Sequence, residues 1–478
     1  MSLSQGSFER MRVTTVFASP GAGKTTQVKS RFEAAVAEGL SVDQVLVLAA
    51  SREAANALRD ELALSLQQAT PGSLARTLTS FAFAIMRTKA IATGSPLPEL
   101  ISGSEQDRIL AEVIGVSIEQ PSGSVWPKHI NAQVMGLNGF RAELRDLITA
   151  ALEHGVKPDT LRELGVANKK PEWVASADLF EQYLSVVSGA DYESRYDTTM
   201  LLREAADWLN ALAEWPAAIA DIKLILVDDA QELTPAASNL LQTLCSRGAD
   251  LVLVGDPDAS TLGFRAADPR AMSNLAQAIA KAHGVAVEEI FLQPEHAIRT
   301  PAISRVLAKV SSQIDTARAG RQRKGLNPQQ ALVEADTQGL EGHVFNQPQA
   351  EVAWLARRLR ELHLYDGIAW NQMAVVARSR GQLDQLAVDL AHESVPVDVA
   401  GSQSALRDEF GSRILLRVAD VLLNARQVDA ALAVELLTSP LCGLDSLGLR
   451  RLRRGLRREE LLAAESAAYH GEGTCTFY

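Results

Sequence analysis

Cysteine is almost missing from this sequence: Cys245, Cys442 and Cys475 are the only three in 478 residues, and they lie far apart. That spacing excludes a multi-disulfide framework and a CxxC metal site. Aromatic residues are scarce, at 5%. No apolar run approaches the roughly 18 residues needed to cross a membrane. The N-terminal MSLSQGSFERMR lacks the apolar core of a signal peptide. Net positive charge is lacking as well. A balance of −11 excludes a protein whose whole surface attracts nucleic acid. A local groove for DNA stays open, because neutralising a few phosphates takes only a few basic groups. Repeats and low-complexity segments are also missing. The chain reads as cytoplasmic.

What is present is an ordinary globular composition, 47% hydrophobic and 22% charged, in a chain too long for one core. About two to four domains are expected. Short apolar runs at 13–18 (VTTVFA), 45–50 (VLVLAA), 222–228 (IKLILVD) and 250–256 (DLVLVGD) end in small or acidic residues and read as buried parallel strands. Helical patterns such as TTQVKSRFEAAVAEG and REAANALRDELALSLQQ follow them. This alternation predicts an α/β domain with its site at the carboxyl ends of the strands. Residues 88–204 break the rhythm with helical patterns between the second and third strands, and read as an inserted helical subdomain. A second α/β segment is expected from 286, with strands near 343–345 (HVF) and 373–377 (MAVVA), and the pattern is helical again after about 400.

Ala18-Ser19-Pro20-Gly21-Ala22-Gly23-Lys24-Thr25 has the spacing of a phosphate-binding loop, with Ala in place of the first glycine. Gly21 and Gly23 let successive backbone N–H groups curl towards an anion, and the helix that follows adds its partial positive charge. Lys24 is placed for the β- and γ-phosphates, and the Thr25 hydroxyl for Mg²⁺. Thr26 completes the contact run. The plain alternative is a glycine-rich turn that caps a helix. Asp228 and Asp229 end the third strand, the first placed for the Mg²⁺ shell and the second for the attacking water. ATP and Mg²⁺ are the expected cofactors.

The order of motifs resembles that of superfamily 1 DNA helicases of the UvrD/Rep type. ASPGAGKT resembles that family's first motif, LVLAASREAANALRDEL the next, and RTLTSFAFAIMR the DNA-binding motif beyond it. VDDAQELTP looks like the Walker B motif, GDPDASTLGFRAA like the coupling motif, and MAVVARSRGQLDQLAVDL like a strand and helix of the second domain. The resemblance implies an α/β fold built on RecA-like P-loop motor domains that work 3′ to 5′ on DNA. It divides the chain into a first RecA-like domain (1–87 and 205–285), a helical insertion (88–204), the start of a second RecA-like domain (286–400) and the start of a second helical insertion (401–478). Arg299, in IRT at 298–300, would reach the γ-phosphate, and Gln5 is the candidate reader of adenine. Ser51, Thr77, Thr79, Ser80, Phe264, Arg265 and Arg378 are the candidate DNA contacts, single-stranded or duplex. Within the family, ISGSEQDRIL, FRAELRDLI, KPEWV and LVDDAQ look most like the AdnA subunit of the actinobacterial AdnAB helicase–nuclease, which implies double-strand-break repair beside an AdnB-like partner.

Several residues depart from the family pattern. Asp229 stands where most members have Glu, which retracts the carboxylate by about 1.5 Å. A misplacement of about 1 Å can cost roughly 10²-fold in rate. Ala259 replaces a glutamine, Ala50 a frequent aromatic and Thr79 a histidine. The later motor motifs have no counterpart before the ending AAYHGEGTCTFY, so the reading is an N-terminal part of a motor, truncated or frameshifted, that binds ATP but does not unwind DNA alone. The competing reading is a nucleotide-binding structural subunit that clamps DNA or a partner motor with little turnover. Arg450, Arg451, Arg453, Arg454, Arg457 and Arg458 surround a stripe of Leu449, Leu452 and Leu456, the pattern of an amphipathic helix with a solvated basic face.

Overall fold

The computed structural model describes residues 11–66, 73–119, 125–189, 194–263, 266–292, 301–315, 320–323, 341–398, 410–423, 428–439, 441–444 and 446–469. Eight strands follow in chain order: β1 (Val13–Phe17), β2 (Val45–Ala49), β3 (Arg76–Thr77), β4 (Glu99–Leu100), β5 (Arg195–Tyr196), β6 (Leu224–Val227), β7 (Asp250–Gly255) and β8 (Val287–Phe291). Six of them form one sheet in the order β3-β2-β6-β7-β1-β8, and every pairing in it is parallel. Parallel neighbours need crossover helices, and those helices cover both faces.

The strand sequences show how the two faces fill. Along β2, Val45 and Val47 point into one core while Leu46 and Leu48 point into the other; Leu226 opposes Ile225 and Val227 in the same way. The period is that of a pleated strand, with successive side chains on opposite faces. On the first face lie α1 (Lys24–Ala37), which buries Val28, Phe32 and Ala35, and α2 (Arg52–Leu66), which buries Ala55, Leu58 and Leu62. Spacings of three and four residues make those stripes helical.

The second face takes a larger set. The helix α3 (Leu78–Thr93) starts where the Thr77 hydroxyl accepts from the Ser80 N–H at 3.1 Å. Five helices then follow between the two short strands β4 and β5: α4 (Gly103–Glu119), α5 (Ala132–Met135), α6 (Asn138–His154), α7 (Pro158–Ala167) and α8 (Pro171–Val187). They close round a core of their own, with Ile109, Leu110, Ile148, Phe180 and Tyr183 fully buried. Pairing of β4 with β5 brings the entry and exit of this helical segment side by side. The chain returns through α9 (Thr198–Ala211), α10 (Ala217–Ala220), α11 (Pro235–Cys245) and α12 (Ala271–His283), whose apolar faces share the second core with α3.

One buried carboxylate ties the helical segment to the sheet domain. Glu153, near the end of α6, is 4% exposed. It accepts from the Thr199 hydroxyl at 2.8 Å and from the backbone N–H of Ala236 at 2.9 Å, at the start of α11. A negative charge at a helix N-terminus is electrostatically favourable. Replacing Glu153 with alanine removes both bonds and orphans a buried N–H, so a stability loss of about 2–4 kcal/mol is expected from urea titration. A shift under about 0.5 kcal/mol would show that water replaces the carboxylate there.

Residues up to 341 form one compact unit and residues 342–478 a second. The expected domain boundary after 285 falls just before β8, which pairs with β1 at the edge of the first sheet. α13 (Pro301–Ser312) also precedes the division. The second unit contains α14 (Pro348–Leu364), α15 (Arg380–His392), α16 (Phe410–Leu422), α17 (Ala430–Thr438) and α18 (Ser446–Tyr469), and buries Val352, Ala356, Leu359, Leu390 and Val395 together. The strands expected at 343–345 and 373–377 are not present: both segments lack strand pairing among the described residues. Val344 is 96% and Val376 91% exposed, so a short apolar run without a partner strand beside it stays irregular. On α18, Leu452 and Leu456 are exposed along with the arginines around them.

Candidate functional site

β1 is a run of buried, mostly β-branched residues that ends abruptly in small ones. The Ala18 N–H donates to the Gly255 carbonyl at 3.1 Å, so the loop departs from the sheet beside the end of β7. The loop then turns on itself, with the Ala22 N–H donating to the Ser19 carbonyl at 3.1 Å. Gly21 has φ 71° and Gly23 φ 89°, both left-handed. At Gly23 space is not the constraint, since an added Cβ would meet only Thr26, at 3.8 Å. The backbone conformation is what requires glycine. α1 begins immediately after, at Lys24, with no side chain capping its first N–H groups. The first N–H groups of α1 and the dipole behind them face the loop. Ser19 is 1% exposed, and its Oγ has no hydrogen-bond partner among the described residues. An orphaned buried hydroxyl in a curled, glycine-containing loop fits an anion held from inside the curl.

The ends of β6 and β7 complete the site. Asp228 directly follows β6 and is 6% exposed. The Thr25 hydroxyl donates to its Oδ2 at 2.8 Å. Burial pushes the Asp228 carboxyl above its ordinary range, Asp229 pushes in the same direction, and the Thr25 hydroxyl and Lys24 oppose them. A hydroxyl and a costly buried carboxylate, presented from two different elements, form a hard-oxygen pair suited to Mg²⁺. Asp229 has φ 50°, an unusual backbone for a residue with a side chain. Its Oδ1 accepts from the Gln231 amide at 3.1 Å.

Gln231 is the residue that sequence reasoning missed. It sits 3% exposed in a short 3₁₀ turn, Ala230–Glu232, and links three parts of the site. Besides holding Asp229, its Oε1 accepts from the Asp256 N–H at 3.0 Å and its carbonyl accepts from the Ser260 hydroxyl at 3.2 Å. Room for it comes from Gly255, where an added Cβ would lie 2.7 Å from the Gln231 Oε1 and 3.1 Å from the Met272 sulfur. Gly255→Ala is therefore expected to displace Gln231 and cost about 1–3 kcal/mol of stability by denaturant titration. An unchanged midpoint would mean that the turn gives way freely. Asp256, 1% exposed, is the second buried carboxylate; burial raises its pKa, and Lys24 lies close enough to oppose the rise.

Thr25 and Asp228, separated by 203 residues of sequence, are brought together, with Asp229 next to Asp228 and the Lys24 charge acting on the Asp228 carboxyl. Thr26 is exposed on the first turn of α1. Thr77 ends β3, and Ser51, Thr79 and Ser80 lie just beyond the carboxyl ends of β2 and β3, away from β1 in the sheet order. Local duties account for two of them: Ser51 accepts from the Ala54 N–H at 3.0 Å, and Thr77 caps α3. Arg378 is exposed in the second compact unit. Gln5, Phe264, Arg265 and Arg299 lie outside the described residues.

A parallel sheet with a phosphate-type loop after β1 and a strand-terminal carboxylate on β6 is the architecture of a RecA-like P-loop domain. The comparison with known proteins narrows the class. Residues 7–280 match the UvrD/REP helicase N-terminal domain, and the chain belongs to that family. It is similar to a probable DNA helicase of Mycoplasma pneumoniae, 24% identical over 78% of this chain and 66% of the relative. It is also similar to the ATP-dependent DNA helicase srs2 of Schizosaccharomyces pombe, 22% identical over 82% of this chain and 42% of the relative. A third similarity is to an ATP-dependent helicase/nuclease subunit of Oenococcus oeni, 24% identical over 51% of this chain and 22% of the relative. The chain therefore spans less than two thirds of the length of each of these relatives. None of these similarities singles out the AdnA type. No described helix is long and apolar enough to cross a membrane.

Proposed function

We propose that the chain is an ATP-dependent DNA translocase subunit of UvrD type that moves 3′ to 5′ on single-stranded DNA. The observation that carries this reading is the 2.8 Å bond from Thr25 to Asp228, which joins the helix after the phosphate loop to the end of β6. Lys24 and the α1 N-terminus would hold the phosphates, and Thr25 and Asp228 the Mg²⁺. When bound there, Mg²⁺ would neutralise charge on the phosphate oxygens. Asp229 would orient the attacking water, and Arg299 would add positive charge at the γ-phosphate. Ser51, Thr77, Thr79, Ser80, Phe264, Arg265 and Arg378 are the proposed DNA contacts. A place in double-strand-break repair is part of this proposal; the similarity to a helicase/nuclease subunit supports a second protein chain beside this one.

One observation favours the second reading, a structural subunit that binds nucleotide with little turnover. Asp229 has the shorter carboxylate arm, its oxygen is engaged by Gln231, and its backbone is held left-handed. Displacement of streptavidin from end-labelled single strands separates the two. A 3′-to-5′ motor clears the tag from the 5′ end in an ATP-dependent way. A clamp binds both ATP and DNA and clears neither end, and that result would overturn the motor reading.

A further inference from the structure

Asp229 stands in a backbone conformation that costs energy. Its φ is 50° and its ψ 44°, in the left-handed region, where Cβ crowds the neighbouring carbonyl. A residue keeps such a conformation only where its surroundings over-determine it. Part of that support lies within the turn itself. The Glu232 N–H donates to the Asp229 carbonyl at 3.0 Å, and the Asp229 N–H donates to Asp228 Oδ1 at 3.0 Å. The Gln231 amide holds the side chain, at 3.1 Å from Asp229 Oδ1. The turn that these bonds close, Ala230–Glu232, is only three residues long.

Glu232 anchors the far end of that turn. It is half-buried, and its carboxylate reaches across to the loop that follows β7. There Oε1 accepts from the Thr261 N–H at 2.7 Å and from the Thr261 hydroxyl at 2.9 Å, while Oε2 accepts from the Leu262 N–H at 2.9 Å. Two adjacent backbone N–H groups and a hydroxyl on one carboxylate make a charge-assisted clamp, stronger than the neutral bonds around it. Gln231 ties the same loop from the neighbouring position, through the Asp256 N–H at 3.0 Å and the Ser260 hydroxyl at 3.2 Å. Turn and loop are thereby held as one piece.

We propose that Glu232 is a positioning residue for ATP hydrolysis: by clamping the turn to residues 261–262 it holds Asp229 left-handed, with its carboxylate aimed at the attacking water. This role rests on the reading of Asp229 as the residue that orients that water. Without the clamp, the turn is tied to the loop through Gln231 alone. Asp229 can then relax towards the ordinary right-handed or extended regions, which swings its carboxylate away. Nucleotide binding is not affected by this route, because the phosphates are assigned to the loop after β1 and to Lys24.

The test is single-turnover hydrolysis of radiolabelled ATP by the full chain, with affinity for a fluorescent ATP analogue and Mg²⁺ measured beside it. Glu232→Gln keeps the size but turns an amide NH₂ towards a donor of the loop, so two donors face each other and the clamp opens. The rate is expected to fall about 10-fold, within the roughly 10²-fold that a misplacement of about 1 Å can cost. Affinity should stay within about 2-fold of the parent. The deciding measurement places the same substitution on an Asp229→Asn background. Asparagine tolerates the left-handed conformation, so Asp229→Asn removes the charge and leaves the turn. Alone it should slow hydrolysis about 10²-fold. Adding Glu232→Gln should then change the rate by less than about 2-fold, because the residue it acts through is already disabled. A merely structural role predicts the same 10-fold loss on either background, or a matching loss of affinity. Either result, or a Glu232→Gln rate equal to that of the parent, overturns the proposal while leaving Asp229 in its role. Unchanged hydrolysis in Asp229→Asn instead removes Asp229 from the water, and a parent that hydrolyses no ATP overturns the function itself; this proposal falls with either.

Discussion

Lys24→Ala is expected to weaken ATP binding by about 10- to 100-fold, the worth of a charge-assisted contact to phosphate. It should cost turnover more than binding. Lys24 is half-buried at the start of α1, and its positive charge favours the ionised forms of the buried Asp228 and Asp256. Removing a preorganised cation from a site that handles a polyanion removes stabilisation that grows as charge develops, typically about 10²–10³-fold in rate. The fold should survive, because the Lys24 side chain belongs to none of the buried apolar cores. Equilibrium titration with a fluorescent ATP analogue checks the binding, and single-turnover hydrolysis checks the rate. Affinity within about 2-fold of the parent would mean that the loop is a helix cap and nothing more.

Asp228→Asn should act on metal dependence. The amide keeps the shape and can still accept from the Thr25 hydroxyl, so the 2.8 Å link survives in form. What goes is the charge. A neutral amide is a poor ligand for Mg²⁺ beside the carboxylate it replaces, so the Mg²⁺ requirement should rise and turnover should fall by about 10²-fold or more. Nucleotide binding without metal should stay within about 3-fold of the parent, since phosphate recognition rests on the loop and Lys24. The substitution also relieves a buried carboxylate whose pKa burial has raised, so stability near neutral pH should not fall. A variant with unchanged Mg²⁺ dependence would remove Asp228 from the metal shell.

Much of the first unit was legible in the sequence, for a physical reason. The expected strands at 13–18, 45–50, 222–228 and 250–256 correspond to β1, β2, β6 and β7, because a strand buried on both faces reads as a nearly continuous apolar or β-branched run. The closeness of Thr25 to Asp228 was legible because a phosphate-loop motif places its hydroxyl at the start of the following helix and a carboxylate at a neighbouring strand end. No strand was expected at β8, whose VEEIF carries two exposed glutamates and looks little like a buried strand. It is an edge strand, where one side of the ladder is open and polar residues are tolerated. The short runs HVF and MAVVA misled in the other direction, since apolar residues do not make a strand without a neighbour to pair with. Gln231 and Gln322 left no local signal at all. Gln231 works through contacts 25 and 29 residues away, and Gln322 reaches Asp256 across 66 residues. A buried glutamine looks like any other polar residue until its partners are known.

The central claim is that the loop between β1 and α1 turns over ATP in response to DNA. The most direct measurement is the steady-state rate of ATP hydrolysis, titrated with single-stranded DNA, for the full chain and for Lys24→Ala. The account predicts a Mg²⁺-dependent rate that rises and saturates with DNA in the parent and is lost in the variant. A rate indifferent to DNA, or DNA stimulation that survives the loss of Lys24, would contradict it.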